Sequence, residues 1–579
     1  MRLLGHPTNW SITEANLDPV RNNATDGDDL EPEFVDINKK NKAVVTFQEN
    51  NWLAIVDLKT GQTINHFSAG EVDLKNVDNV EEDPPLIILD TDITKRREPD
   101  AVAWIDYDSF ATANEGDYED GSGEEGGSRG FTIFNIDGTV EFESEESFEH
   151  WLVSAGHYLD GRSENKGCEP EGIAAGRFGF RTFLFVGAER CNAVGVYDVT
   201  SGTPKPIQIL PTGIKPEGLK TFSKSWFGWF FNKRNLFAVS TEDNEDDIPT
   251  MINIYRMEYG PSYYPMIVSG DDSNGLPIPW VGLSGLGADP TTPKKLYTVS
   301  DSFLQKAFFY EIDASSHPAV IVDRKEVTGA SADLDLEGIA VGPDGNLWIA
   351  SEGNSSTRPN LVLKVNPATG AVISEFPLPT APDDMTDNRR GNGFEGIAVT
   401  GTAGNEVVYA VIQRAWPNEG DTDEVNTKIG RLDPSTGDWD FVHYPLEPEG
   451  KGDWIGLSAL TQLPNGKFAV IERDKGWGPT TGFIAEIKRI YQVDLDAATF
   501  HPYSEPQAPP LELLSKTLVR DVLPDLQATS IWTAEKLEGL TVDANGDVFV
   551  LVDNDGVDDA TGETLFLNLG DWESAFNLP

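Results

Sequence analysis

A carboxylate recurs along this chain at Glu33, Asp100, Glu171, Glu217, Glu337, Glu395 and Glu538, in most cases followed directly by glycine. A second acidic series, with Glu115, Glu189 and Glu352, falls some fifteen residues after members of the first. Clustered carboxylate oxygens are hard ligands that suit a divalent cation, Ca²⁺ above all. One reaction centre does not need an acid from every repeat. Most of the ring is therefore expected to be framework, binding backbone N–H groups of the next unit, with Glu395 the exception because of its neighbours.

Those neighbours are cationic. Arg389 and Arg390 lead into Glu395, Gln413-Arg414 and Glu472-Arg473-Asp474-Lys475 stand where the second, third and sixth units end their second strand with acidic groups, and Lys488-Arg489 follow. Arginine forks match phosphate oxygens, and a metal beside them would polarise a phosphoryl group. The expected site has Glu395, Glu472 and Asp474 as catalytic carboxylates. Arg389, Arg390, Arg414, Arg473, Lys475 and Arg489 would hold the substrate. Glu352, Glu472, Asp474, Glu538, Asp553 and Asp555 would hold the metal. The alternative reading of the same cations is a set of ion pairs that neutralise a crowded acidic rim.

Asp553-Asn554-Asp555-Gly556 lacks the full loop and distant Glu of an EF-hand. The acidic run Glu242-Asp243-Asn244 is a candidate for a second, structural ion. The seven histidines avoid the repeated motifs, which argues against a histidine-phosphatase mechanism and a zinc centre. The G-x-S-x-G match at 126–130 lies in a polar insert without strand–turn–helix context.

The elements that position these residues are best read from LEGIAVGPDGNLWIASEGN (336–354). Ile339 and Val341 alternate with small residues, Asp344-Gly345 predicts a tight turn with both residues at positive φ, and Leu347, Ile349 and Ser351 resume the alternation. Two antiparallel strands result, bringing Glu337 beside Glu352. Related units begin near 30, 97, 168, 215, 280, 336, 389, 453 and 537. About nine four-stranded units exceed the 4–8 blades of one β-propeller. The expectation is an all-β fold of two propellers, with residues 1–257 as the first region, 258–279 as a Gly-, Pro-, Ser- and Tyr-rich linker, and 280–579 as the second. The stretch 511–526 has helix-like spacing and reads as an insertion. The aromatic tract 225–232 reads as a covered hairpin tip.

With 96 acidic and 44 basic residues the formal charge is −52, which repels nucleic acid and anionic membranes. No apolar run is long enough for a transmembrane helix, and the first ten residues lack the apolar core of a signal peptide. Cys168 and Cys191 precede and follow corresponding ends of one hairpin, which makes them neighbours. A disulfide there would close a loop of about 23 residues, stabilise by about 3 kcal/mol, and imply an oxidising compartment. Two buried thiols are the alternative.

From residue 276 onward SGLGAD, VSDS, LEGIAV, ASEGN, RRGNGFEGIAV, VIQRAW, IGLSAL, VIERD, IKRIY, LEGL and VDNDG follow in order. This run resembles the esterase-like phytase family, whose members carry the names phytase or alkaline phosphatase. Residues 28–257, with DDLEPEFVDI, TFQENN, REPDAVAW, ANEGD, PEGI and KPEGL, resemble the choice-of-anchor I propeller region. The resemblance implies hydrolysis of a phosphorylated small molecule, without assigning catalytic residues, in an extracellular, periplasmic or cell-surface setting. It also implies further blades upstream, so an incomplete first propeller is expected. The rival expectation is a calcium-stabilised scaffold without activity that binds protein or glycan at the cell surface.

Overall fold

The computed structural model describes residues 12–118, 126–223, 235–242, 248–258, 260, 262, 264–353, 358–378, 392–417, 423–478, 484–502, 511–557 and 560–577. Among them the chain forms nine small sheets and one separate hairpin, Glu71–Val77 with Thr91–Arg96. Five sheets have four strands, two have three and two have five. Nearly all pairing is antiparallel between sequence neighbours, giving an all-β, propeller-like chain in which no sheet closes on itself.

The hairpin tips explain why the units repeat. In the template, Gly342 N–H donates to Asn346 O (2.8 Å), Gly345 N–H donates to Gly342 O (2.9 Å), and Val341 pairs with Leu347. Only Gly345, at φ 81°, is left-handed, so the tip is a turn of ordinary hand closed by one glycine rather than a pair of positive-φ residues. The same two bonds recur at Asn135–Thr139, Leu463–Lys467 and Asp543–Asp547, each with glycine in fourth place.

The Glu-Gly signature has a different role from the one expected. The first strand of the sixth sheet, Leu336–Val341, shifts register between Leu336 and Gly338, and the same irregularity interrupts Leu283–Ala288, Phe394–Thr402, Ile455–Gln462 and Leu537–Val542. A bulge there turns the glycine against the next sheet. A Cβ on Gly338 would lie 2.3 Å from the Glu395 carbonyl oxygen, and one on Gly396 would lie 2.3 Å from the Leu460 nitrogen. Glycine is needed because two backbones meet.

These close approaches run in a ring. Leu283–Ala288 packs on Leu336–Val341, that strand on Phe394–Thr402, that on Ile455–Gln462, and that on Leu537–Val542, which returns to Leu283–Ala288. In the first half Pro32–Ile37, Val102–Trp104, Ile173–Phe178 and Pro216–Ser223 pack in the same serial way, but among the described residues no packing of that extent joins the last to the first. Accordingly Phe34, Val35 and Ile37 are 46 %, 55 % and 54 % exposed.

Two expectations change, and one element is new. Ile267–Ser269, inside the stretch read as a linker, pairs in parallel with the strand Ala319–Glu326 of the fifth sheet. Within 511–526, Lys516–Asp521 is the fourth strand of the eighth sheet, and only Leu523–Gln527 is helical. The β-branched Thr517 and Val519 and pairing to Lys488–Val493 outweigh the helix-like spacing. The helix Ser147–Ser154 has no counterpart in the repeat; it buries Phe148, Leu152 and Val153. That helix belongs to the largest core cluster, which joins Phe131, Leu184, Trp280, Leu286, Leu551 and Phe566 across both halves. The aromatic tract 225–232, Asp243 and Asn244 lie outside the described residues.

Candidate functional site

Where the inner strands begin, the bulged Glu337 meets the hairpin ends on either side. Asp335, two residues earlier, and Glu352, just after Leu347–Ser351, offer carboxylate oxygens within 4.8 Å of one another and of Glu337. The hairpin fixes this spacing: Asp335 N–H donates to Ser351 Oγ (3.0 Å) and Glu352 N–H donates to Asp335 O (2.8 Å). Ser284 Oγ donates to Glu337 Oε2 (2.9 Å), and Arg358 pairs with Asp335 at 3.0 Å. Glu352 Oε1 accepts Gly393 N–H of the next sheet at 2.7 Å. The bridging contact expected of the Glu-Gly carboxylates is thus made here by the second acidic series.

Two further carboxylates complete the cluster. Glu395 is 2 % exposed and accepts Gln413 Nε2 at 2.5 Å. Glu538 accepts Arg473 Nη2 at 2.6 Å through Oε1, whereas its buried Oε2 has no partner among the described residues. Arg473 also reaches Glu535 (3.4 Å), and its own buried Nε has no hydrogen-bond acceptor among the described residues. Burial, followed by repulsion from neighbouring acids, pushes the Glu337 and Glu395 carboxyls well above the carboxylate range; for Glu395, Arg473 and Gln413 work against the rise. Burial first and then Asp335 and Glu538 raise Glu352 to about 8, against the Gly393 N–H and Arg358. The cluster therefore holds protons at neutral pH, or it holds a cation.

The other sequence-predicted residues are distributed elsewhere. Successive side chains of a strand face opposite ways, so Glu472 and Arg473 cannot share one centre. Glu472, fully buried, accepts Tyr444 OH (2.9 Å), Glu447 N–H and Lys516 Nζ (2.6 Å). Asp474 takes Lys488 Nζ (2.7 Å) and the N–H groups of Glu486 (2.7 Å), Ile487 (2.9 Å) and Gly476 (3.2 Å). The catalytic and metal-ligand roles expected of Glu472 and Asp474 are therefore corrected to structural ones, since a lysine together with N–H or O–H donors occupies both oxygens of each. The metal role expected of Asp553 and Asp555 meets the same obstacle. Lys536 pairs with Asp553 at 3.3 Å and with Asp555.

The cations divide in the same way. Arg414 and Arg473 both lie over the Trp454 ring, 4.7 Å and 5.2 Å from its centroid. Arg489 turns to Glu447 at 3.7 Å, on the Glu472 side of the sheet, and so leaves the proposed substrate set. Lys475 lines a separate cavity of about 560 Å³ with Trp477, Trp532, Glu535 and Glu563. Arg389 and Arg390 lie outside the described residues. Thus Glu352, Glu395, Glu538 and Arg473 come together. Asp335 was missed; it stands just ahead of the strand, two residues before Glu337, where the bulge and the hairpin bonds bring it to the cluster. Asp301, raised to about 6 by burial and facing Lys536 and Asp335, was also missed.

The first half carries a comparable cluster, in which Glu115, Glu169 and Glu189 have oxygens within 4.8 Å of one another. Here cations are built in: Lys166 pairs with Glu115 (2.8 Å), Arg162 with Glu169 (2.5 Å) and Arg190 with Glu169 (3.3 Å). Cys168 and Cys191 form a disulfide beside it, with Cα atoms 5.1 Å apart.

Residues 278–556 match the family model described as phytase-like, esterase-like activity of phytase. Residues 9–126 and 122–202 match the choice-of-anchor I domain. No curated protein matches the chain. Among solved structures, the Kuenenia stuttgartiensis hydrazine synthase is 10% identical, covering 93% of this chain and 96% of its own, at a TM-score of 0.26. A streptogramin B lyase is 15% identical, covering 69% and 94%, at 0.24. A virginiamycin B lyase from Staphylococcus aureus is 12% identical, covering 76% and 91%, at 0.20. Likenesses this distant carry no argument about the reaction.

Proposed function

Starting from the phytase-like match over residues 278–556, we propose that the protein is an exported, calcium-dependent phosphoesterase acting on phosphate monoesters. Its fifth to ninth sheets would be the blades of one propeller and its first four would belong to a second. The observation that carries the reading is the Asp335–Glu337–Glu352 cluster, with the unpartnered Glu538 oxygen and Arg473 beside it. An all-carboxylate donor set with an orphaned buried oxygen fits a hard cation. The ligand set moves accordingly to Asp335, Glu337, Glu352 and Glu538.

Ca²⁺, when bound, supplies the charge that draws electron density from phosphorus. Arg473 and Arg414, both braced on Trp454, offer donors toward phosphate oxygens. Glu395, whose carboxyl is held in its protonated form by burial and by Glu538, would give that proton to the departing alcohol oxygen as water adds to phosphorus and the P–O bond to the alcohol breaks, and would regain a proton from that water. The choice-of-anchor match supports an exported or surface location, as does the disulfide. No described helix is long and apolar enough to cross a membrane.

The experiment is phosphate release from p-nitrophenyl phosphate with Ca²⁺ and after EDTA. Activity should require Ca²⁺ and fall about a hundredfold or more in Glu395→Gln and in Glu352→Gln. Full activity in both variants overturns the assigned site.

A further inference from the structure

We propose that the cavity lined by Trp477 and Trp532 is a binding site for the ring of a neutral, hydroxyl-rich molecule, a monosaccharide or similar polyol. This does not rest on the phosphoesterase reading. The cavity encloses about 560 Å³, within the usual range for small-molecule sites, and lies where loops of the eighth and ninth sheets meet Ile248 of the first half.

Its charges select the ligand. Lys536 is paired with Asp553 and Asp555, and Glu535 with Arg473. Two lining groups remain. Glu563 is 7 % exposed, and its buried Oε2 has no hydrogen-bond partner among the described residues. Lys475 meets no carboxylate among the described residues. The lining as a whole sets two lysines against four carboxylates, which disfavours an anion, while the Lys475 ammonium, without a carboxylate partner among the described residues, opposes a cation. Burial raises Glu563 to about 7, so near neutral pH its carboxyl both accepts and donates hydrogen bonds. Hydroxyl groups answer both roles.

The indoles supply the rest. Gly478, at φ 51°, rests against the Trp532 ring so closely that a Cβ there would come within 2.1 Å of it, and its N–H donates to Thr533 O at 3.0 Å. The ring is thereby held by backbone on one side. One fixed indole with a second beside it and a polar set around them suit a ring with C–H faces and a hydroxyl rim. A purely apolar ligand would leave Glu563 and Lys475 buried without partners.

The test titrates glucose, mannose and cellobiose into the full chain in EDTA, following tryptophan fluorescence and heat. Saturable binding is expected for at least one sugar, weakened about tenfold by Trp532→Ala. Glu563→Met should weaken it by a similar factor while leaving the melting temperature equal or higher, because it removes an unpartnered buried carboxyl. Absence of a saturable signal with all three sugars overturns the proposal. So does Glu563→Met binding as tightly as the parent, or inorganic phosphate competing at comparable affinity. Sugar binding with no phosphatase activity would leave this proposal standing and remove only the phosphoesterase.

Discussion

The two halves use one repeated hairpin and arrive at different rims. In the fifth to ninth sheets the inner strands pack in a closed circuit, and Glu395, Glu538 and Glu352 are 2 %, 3 % and 9 % exposed. In the first four sheets no packing of that extent closes the row among the described residues, and Glu33 and Glu217 at its two ends are exposed. The same carboxylate is thus desolvated or solvated according to whether its strand has a neighbour on both sides. The open row also carries more cations at its inner acids, Lys166, Arg162 and Arg190, where the closed ring has Arg473 and Arg358. Closure, more than sequence, separates a rim that neutralises itself from one that waits for a counter-charge.

Breaking the closed rim at its charge should have the largest effect. Arg473→Met leaves Glu535 and Glu538 buried without their cation and should cost about 4 kcal/mol by chemical denaturation. The corresponding Arg190→Met, on a side chain 30% exposed, should cost under about 1 kcal/mol. Next comes the packing. Gly396→Ala drives a methyl into the Ala459–Leu460 backbone and should cost about 3 kcal/mol. At the open end, Gly218→Ala meets only the Ser240 side chain and should cost about 1 kcal/mol, because a hydroxyl can turn away. Equal losses at the two glycines would remove the distinction between the halves.

The third test is a pH dependence. Glu352 rises on folding from the ordinary carboxylate range to about 8, so the folded state binds its proton more tightly than the unfolded state does. Stability from this group is complete below about pH 4 and is lost as pH climbs through about 8. In EDTA the melting temperature should fall across that window. Glu352→Gln should flatten the curve, and Ca²⁺ should flatten it by holding the ionised form. A curve that rises over the same interval would contradict the buried, cation-poor picture of this rim.

The sheets were legible because one tip, with glycine in fourth place, recurs with its hydrogen bonds intact. The Glu-Gly pair was legible as a signature but misread as to cause. The glycine answers to the backbone of the neighbouring sheet, a contact between residues some sixty positions apart that local pattern does not contain. Arg473 stood out because it broke the repeat. Glu472 and Asp474 stood out equally and were misassigned, since strand alternation separates Glu472 from Arg473, and Lys516 and Lys488 come from other strands. Asp335 was missed because the bulge and the hairpin bonds bring it to Glu337 from just ahead of the strand. Glu563 and Trp532 carried no repeat and no motif, and only the folding of three loops about one cavity makes them neighbours.

Asn554 has a consequence for how this protein is made. Its side chain donates to Gly156 O (2.8 Å), 398 residues away, and to Gly562 O (2.9 Å), while accepting Gly282 N–H at 2.8 Å. The ninth sheet is also the one that returns to the fifth. During synthesis, strand Leu283–Ala288 and the helix-bearing region around Gly156 must therefore wait, with one face uncovered, until the ribosome has passed residue 554. Contacts so distant along the chain slow folding and prolong the life of an unfinished edge. A nascent chain halted before Asn554 should be protease-sensitive at both places, and release past it should protect them together.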